Sequence, residues 1–103
     1  MIPLANPKLL SDDFDFQGSL PSWRVSADGK ELSQEFIFQD FKSAFEFMTL
    51  AARYAEEIDH HPDWSNAWNR VSVRLSTHSM KGLTELDLAM AKAMDQFAKQ
   101  VRQ

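Results

Sequence analysis

Pro62 divides the chain between a helix and a strand, and it constrains the fold more than any other residue. Upstream of it, Asp40 precedes apolar residues spaced three and four apart, as in one stripe of an amphipathic helix: Phe41, Ala44, Phe45, Met48, Ala52, Ala55 and Ile58. Proline has no amide hydrogen and keeps the preceding residue out of the helical region, so this helix must end near Asp59. We therefore expect Asp40 to be the N-cap and residues 60–63 to be a helix-to-strand junction.

Two hairpins are predicted, one on each side of that helix. Before it, the Asp28-Gly29 pair separates an alternating run that starts at Trp23 from an extended run at 32–38. This pair predicts a type I′ turn, in which both central residues have positive φ. After the helix, two alternating sets indicate a second pair of strands: Trp64, Asn66 and Trp68, then Val71, Val73 and Leu75.

A last amphipathic helix is expected after a loop at 77–82. Its apolar stripe is Leu83, Leu86, Met90, Ala93, Met94, Phe97 and Val101. Thr84 and Asp87 have the spacing of a capping box, with Asp in place of the usual Glu or Gln. The chain thus indicates an α+β fold, in which helices cover one face of a four-stranded antiparallel sheet. We expect a single domain over 1–103 with an irregular leader at 1–21, which has room for a turn or two of helix around Lys8 to Phe14.

Composition excludes several kinds of function. The net charge of −4 argues against a domain that grips a phosphate backbone. With no cysteine, the chain has no disulfide, iron–sulfur cluster or thiolate chemistry. No apolar run approaches the roughly 18 residues of a membrane span, and the start lacks a signal-peptide pattern. We expect a cytoplasmic protein with no nucleic-acid or membrane partner.

The three histidines are the candidates for chemistry. His60 and His61 adjoin at the junction, and His78 lies in the loop after the last strand. Adjacent histidines at a helix end point in different directions, so a zinc site is the weaker alternative. A nucleophilic serine turn and a glycine-rich phosphate loop are both missing. What remains is acid–base catalysis by imidazole, whose tautomer nearby carboxylates can fix: Glu56, Asp59 and Asp87.

The spacing of these residues resembles that of the pterin-4a-carbinolamine dehydratases. The family pattern combines a charged residue, His-His-Pro, an aromatic residue, a third histidine and a downstream aspartate. This sequence meets it with Glu56, His60, His61, Pro62, Trp68, His78 and Asp87. The resemblance covers about Phe36 to Ala98. It implies a hydro-lyase that dehydrates 4a-hydroxytetrahydropterin to quinonoid dihydropterin, without cofactor or metal, and so recycles the pterin of aromatic amino acid hydroxylases.

The resemblance also implies which residues form the site. His60, His61 and His78 would be catalytic, with the proton transfers assigned to His61 and His78 and the orientation of the pterin to His60. Glu56 and Asp87 would orient imidazoles. The pterin would be lined by these histidines together with Asp59, Pro62, Trp64, Thr77, Ser79 and Met80.

Other interpretations stay open. The histidine pair could interact only with the helix dipole, and Asp87 could be only a cap. Trp64 and Trp68 would share a strand face and pack in a core or interface. The whole protein could instead be a protein-binding or dimerisation module, or could act on another pterin, although three imidazoles at these spacings favour an enzyme. An unpaired edge strand predicts self-association, and the resemblance implies a homodimer or homotetramer. The resemblance also implies an aromatic amino acid hydroxylase as a partner in the same pathway.

Overall fold

The computed structural model describes residues 7–102, so the predictions for residues 1–6 of the leader and for residue 103 lie outside the described residues. The elements are α1 (Phe16–Ser19), β1 (Arg24–Val25), β2 (Leu32–Ile37), α2 (Phe41–Ile58), β3 (Asp63–Ala67), β4 (Arg70–Leu75), a 3₁₀ turn (His78–Met80) and α3 (Glu85–Arg102). This order confirms the predicted α+β arrangement.

The four strands form one antiparallel sheet in the order β1-β2-β4-β3. Phe36 of β2 lies opposite Val71 of β4, and Trp64 of β3 lies opposite Val73. Alternate side chains of β2 and β4 therefore enter the core, where α2 and α3 cover them, while the intervening polar side chains face outward. The buried residues of the two central strands are Leu32, Phe36, Val71, Val73 and Leu75.

Helix α2 begins at the predicted N-cap. Asp40 accepts a hydrogen bond from the amide of Ser43 at 2.8 Å, and the Ser43 amide and hydroxyl lower the pKa of the Asp40 carboxyl below its ordinary value. The predicted apolar stripe, however, is partly wrong. Phe47, absent from that stripe, is fully buried, whereas Phe41 and Phe45 are 48% and 55% exposed.

The reason for this difference is that α2 carries two apolar arcs side by side. The sheet and α3 cover only the arc formed by Ala44, Phe47, Ala51, Ala55 and Ile58. The neighbouring arc includes Phe41 and Phe45, whose rings lie 5.8 Å apart on the surface. Helical spacing alone does not distinguish the two arcs.

Both hairpin turns differ from their predicted geometry. At the first, only Gly29 has positive φ, at 72°, so the turn is not type I′. The Asp28 carboxylate instead accepts bonds from the Ser26 hydroxyl at 2.7 Å and the Lys30 amide at 3.0 Å, which holds Asp28 in an ordinary conformation. At the second, Trp68 is a turn residue with φ of 49° and is 64% exposed, so it does not share a strand face with Trp64.

The leader is bound to the start of α3. Its short helix, α1, lies after the predicted stretch, and its N-cap Asp15 accepts from the amide of Gly18 at 2.9 Å. Nearer the start, Leu9 bridges to Thr84, and the Leu10 amide donates to the Leu83 carbonyl at 2.8 Å. Within residues 7–102, no helix is both long and apolar enough to cross a membrane.

Alanine substitutions at the two arcs of α2 should separate their energetic roles. Phe47→Ala removes a fully buried ring and should lower the free energy of unfolding by about 3–5 kcal/mol. Phe45→Ala, its matched control on the exposed arc, should change it by less than about 1 kcal/mol in the monomer. Urea denaturation would measure both, and equal losses would contradict the assignment of the buried arc.

Candidate active site

The end of α2 determines where the two adjacent histidines point. Asp59 takes a left-handed conformation, with φ of 52° and ψ of 47°. Its amide donates to the carbonyl of Glu56 at 3.4 Å, and the amide of His60 donates to the carbonyl of Ala55 at 3.0 Å, which is the Schellman pattern. The chain leaves the helix with His60 buried and His61 exposed. The expectation that the two imidazoles point in different directions is confirmed.

His60 is held by a buried carboxylate. Its Nε2 lies 2.6 Å from Oδ1 of Asp87, a residue that is fully buried in the first turn of α3. The other oxygen of Asp87, Oδ2, accepts from the Thr77 hydroxyl at 2.8 Å and from the Thr84 amide at 2.9 Å. Asp87 therefore completes the predicted capping box and also contacts an imidazole, so its two interpretations are compatible.

His61 forms a second carboxylate–imidazole pair, in a different environment. Its Nε2 lies 2.6 Å from Oε2 of Glu56, one turn back on α2. The two side chains are 55% and 78% exposed, so water screens their interaction. We conclude that this pair orients His61 while contributing little to stability.

His78 begins the 3₁₀ turn that follows β4 and is exposed. The loop around it closes through Thr77, whose amide donates to the carbonyl of Gly82 at 2.8 Å. Lys81 ends the turn in a left-handed conformation, with its amide bonded to the carbonyl of His78. This compact loop fixes His78 close to the end of β4, on the same side of the molecule as the end of α2.

All three histidines line one cleft of about 380 Å³. The predicted residues that share it with them are Asp59, Thr77 and Ser79. Glu56 and Asp87 lie behind His61 and His60 as their hydrogen-bond partners. The cleft wall does not include Pro62, Trp64 or Met80, and Trp64 packs against the core and borders a separate cleft.

Three lining residues were missed from the sequence: Pro7, Ser76 and Leu86. Leu86 belongs to the apolar stripe of α3, so its position in the sequence predicts a core residue. Ser76 directly precedes Thr77, and nothing in the sequence around it indicates a place in the site. Pro7 lies in the leader, outside the resemblance, and only the pairing of residues 9–10 with Leu83 and Thr84 brings it here.

The arrangement provides groups that exchange protons. Three imidazoles face one cleft, and two of them are bonded to carboxylates at 2.6 Å, which fixes ring orientation and the nitrogen left for a ligand. In the described part of the chain, no three His, Cys, Asp or Glu side chains are grouped closely enough to hold a metal ion. General acid–base chemistry on a small molecule is the chemistry that this geometry suits.

Comparisons with known proteins converge on one family. Residues 8–97 match the family model described as pterin 4 alpha carbinolamine dehydratase. A Rhizorhabdus wittichii protein that bears the family's name is 48% identical over 84 residues, covering 82% of this chain and 87% of its own length. A Brucella ovis protein of the same name is 52% identical over 81 residues, covering 78% and 82%.

Two solved structures share the fold. The crystal structure of a transcriptional coactivator/pterin dehydratase from Brucella melitensis has a TM-score of 0.81 and 42% identity, covering 88% of this chain and 99% of that one. A pterin dehydratase-like protein described as a RuBisCO assembly factor in the α-carboxysome has a TM-score of 0.66 and 23% identity, covering 78% and 93%. At that identity, the second likeness concerns the fold alone.

Substitution of the two carboxylates should reveal their different environments. Asp87→Ala leaves buried donors of His60, Thr77 and Thr84 without their acceptor, and it should lower the free energy of unfolding by about 3–5 kcal/mol. Glu56→Gln, at the exposed pair, should cost less than about 1 kcal/mol. Urea denaturation at neutral pH would compare them, and a small loss for Asp87→Ala would show that the buried network does not stabilise the fold.

Proposed function

The chain belongs to the pterin 4 alpha carbinolamine dehydratase family, and from that premise we propose that it dehydrates 4a-hydroxytetrahydropterin to quinonoid dihydropterin. In this elimination, the bond from carbon 4a to its hydroxyl breaks and the proton on nitrogen 5 is removed. A double bond forms between carbon 4a and nitrogen 5, and water leaves. No electrons are exchanged with a second reactant, so an acid and a base suffice.

The observation that carries this proposal is the convergence of three imidazoles on one cleft. His61 and His78 are both exposed, so each can reach a bound molecule and exchange protons with water between turnovers. We assign the two proton transfers to them. His60 is buried and has one ring nitrogen committed to Asp87, which suits it to orienting the pterin. Glu56 and Asp87 orient His61 and His60.

Contacts to the flat pterin follow from the cleft lining. We propose that Asp59, Thr77 and Ser79 contribute to binding, since each lines the cleft beside a histidine. The contacts first expected from Pro62, Trp64 and Met80 have less support, because these residues lie outside the cleft wall. The substituent at position 6 of the pterin distinguishes tetrahydrobiopterin recycling from action on another pterin, and the identity of this substrate stays a prediction. The hydroxylase partner and the cytoplasmic location also stay predictions.

Stopped-flow measurement of the loss of 4a-hydroxytetrahydropterin, generated by a phenylalanine hydroxylase, tests the function. His61→Ala and His78→Ala should each lower turnover by about 100-fold or more. His60→Ala should raise KM at least as much as it lowers turnover. Gln100→Ala, on the exposed surface of α3, serves as the control and should match the unmodified chain. Near-normal turnover in both His61→Ala and His78→Ala would refute the assignment of the proton transfers.

We also propose that the chain self-associates. The sheet has two edge strands, β1 and β3, and apolar side chains are exposed where β2 meets α2 and at the β3–β4 turn: Ile37, Phe41, Phe45 and Trp68. Exposed apolar groups of this size are typical of protein interfaces. This surface also supports the alternative of a protein-binding module, which would use it for a different partner.

Analytical ultracentrifugation tests self-association. The unmodified chain should sediment as a dimer or tetramer at micromolar concentration, and Phe45→Glu should shift it toward the monomer by placing a charge on the exposed arc. Gln17→Glu adds the same charge at an exposed residue of α1, away from the exposed arc of α2, and is the control. A monomeric unmodified chain would contradict the proposal and leave the apolar surface to another protein.

A further inference from the structure

Two threonine hydroxyls form a chain of hydrogen bonds behind His60. The Oγ1 atoms of Thr77 and Thr84 lie 2.7 Å apart, and Thr77 Oγ1 lies 2.8 Å from Oδ2 of Asp87. Thr84 Oγ1 also accepts from the amide of Leu86 at 3.2 Å. Thr77, Thr84 and Asp87 are buried, and among the described residues every buried polar side-chain atom has a partner.

The direction of each hydrogen bond follows from counting protons. A threonine hydroxyl has one proton to donate. Thr77 donates its proton to Asp87, so in the contact between the two hydroxyls Thr84 must be the donor. The chain therefore runs from the Leu86 amide through Thr84 and Thr77 to Oδ2 of Asp87, and each of the two hydroxyls both accepts and donates.

This directionality extends to His60. Oδ2 of Asp87 receives two donors, the Thr77 hydroxyl and the Thr84 amide, so the carboxyl acts as an acceptor at the positive end of α3. In an ionised carboxyl both oxygens are acceptors, so the other oxygen, 2.6 Å from Nε2 of His60, accepts as well. Nε2 must carry the hydrogen, and a neutral His60 has its lone pair on Nδ1.

We propose that Thr77 and Thr84 are positioning residues that hold His60 as the Nε2–H tautomer, so that Nδ1 accepts a hydrogen bond from an N–H group of the bound pterin. The catalytic part of this inference rests on the proposed function, whereas the tautomer does not. A neutral imidazole held in this way cannot donate a proton to the leaving hydroxyl. The acid must then be another group of the cleft, which agrees with the assignment of proton transfer to His61 and His78.

Thr77→Val is the most direct test, because Thr77 is not the N-cap of α3 and its loss leaves the amide of Thr84 bonded to Asp87. NMR of the imidazole ¹⁵N nuclei in the 103-residue chain reports which nitrogen carries the hydrogen. The unmodified chain should show His60 as the Nε2–H form. Without the Thr77 hydroxyl, the carboxylate of Asp87 can turn away from His60 and no longer fixes its tautomer. Thr77→Val should therefore introduce the Nδ1–H form and raise KM by about 10-fold, with a smaller change in kcat.

Three further variants separate positioning from capping and packing. Thr84→Val removes the hydroxyl that orients Thr77 and should also introduce the Nδ1–H form, while Thr84→Ser keeps that hydroxyl and should restore the Nε2–H signal. Thr49→Val removes a hydroxyl that bonds only within α2 and should leave both the spectrum and KM unchanged.

These measurements test the tautomer of His60 independently of the proposed dehydratase activity. His60 found as the Nδ1–H form in the unmodified chain would overturn it, as would an unchanged His60 spectrum in folded Thr77→Val and Thr84→Val. If the unmodified chain fails to dehydrate the pterin, the proposed function is lost, yet a tautomer that depends on both hydroxyls would still support the positioning role. If dehydration occurs and the tautomer shifts without any change in KM, the acceptor role of Nδ1 is refuted.

Discussion

The buried carboxylate of Asp87 is the interaction on which the site depends. Its two oxygens accept from a histidine just after α2, a threonine just after β4 and the backbone amide of Thr84 just before α3. Three elements distant in sequence are thereby joined at one point inside the protein. An ionisable group with no exposed surface is costly to bury unless donors surround it, and here all of its neighbours donate. The requirement to satisfy one charge thus also sets the position of an imidazole.

The left-handed turn at Asp59 is the second constraint. It reverses the chain within a single residue, so His60 enters the interior while His61 stays in solvent beside its own carboxylate. The same residue type thus meets two dielectric environments at adjacent positions. One imidazole is held in a buried network and the other lies in contact with solvent, so the cleft combines two differently placed imidazoles from a repeated residue.

Local sequence signals predicted the elements well, since Asp40 and Pro62 limit α2 by capping and by a missing amide. They did not predict which arc of α2 is buried, because Phe47 and Phe45 differ only in where the sheet and α3 lie. The turn at Asp28-Gly29 was predicted, but its type I′ geometry was wrong, because side-chain hydrogen bonds of Asp28 replace the positive φ that an Asp-Gly pair suggests. For the site, the residue types and the resemblance both indicated the histidines, but Pro7 reaches the cleft through pairing that no local pattern encodes.

The attachment of the leader to Leu83 and Thr84 has a consequence for how the protein is handled. Because Pro7 forms part of the cleft wall, a label attached beside it would lie close to the imidazoles. Helix α3 runs away from the cleft for about 27 Å, and its last residue, Arg102, bonds to the carbonyl of Ile37 at the far end of β2. Fluorophores and immobilisation handles therefore belong near the far end of α3, where they leave the entrance to the cleft open.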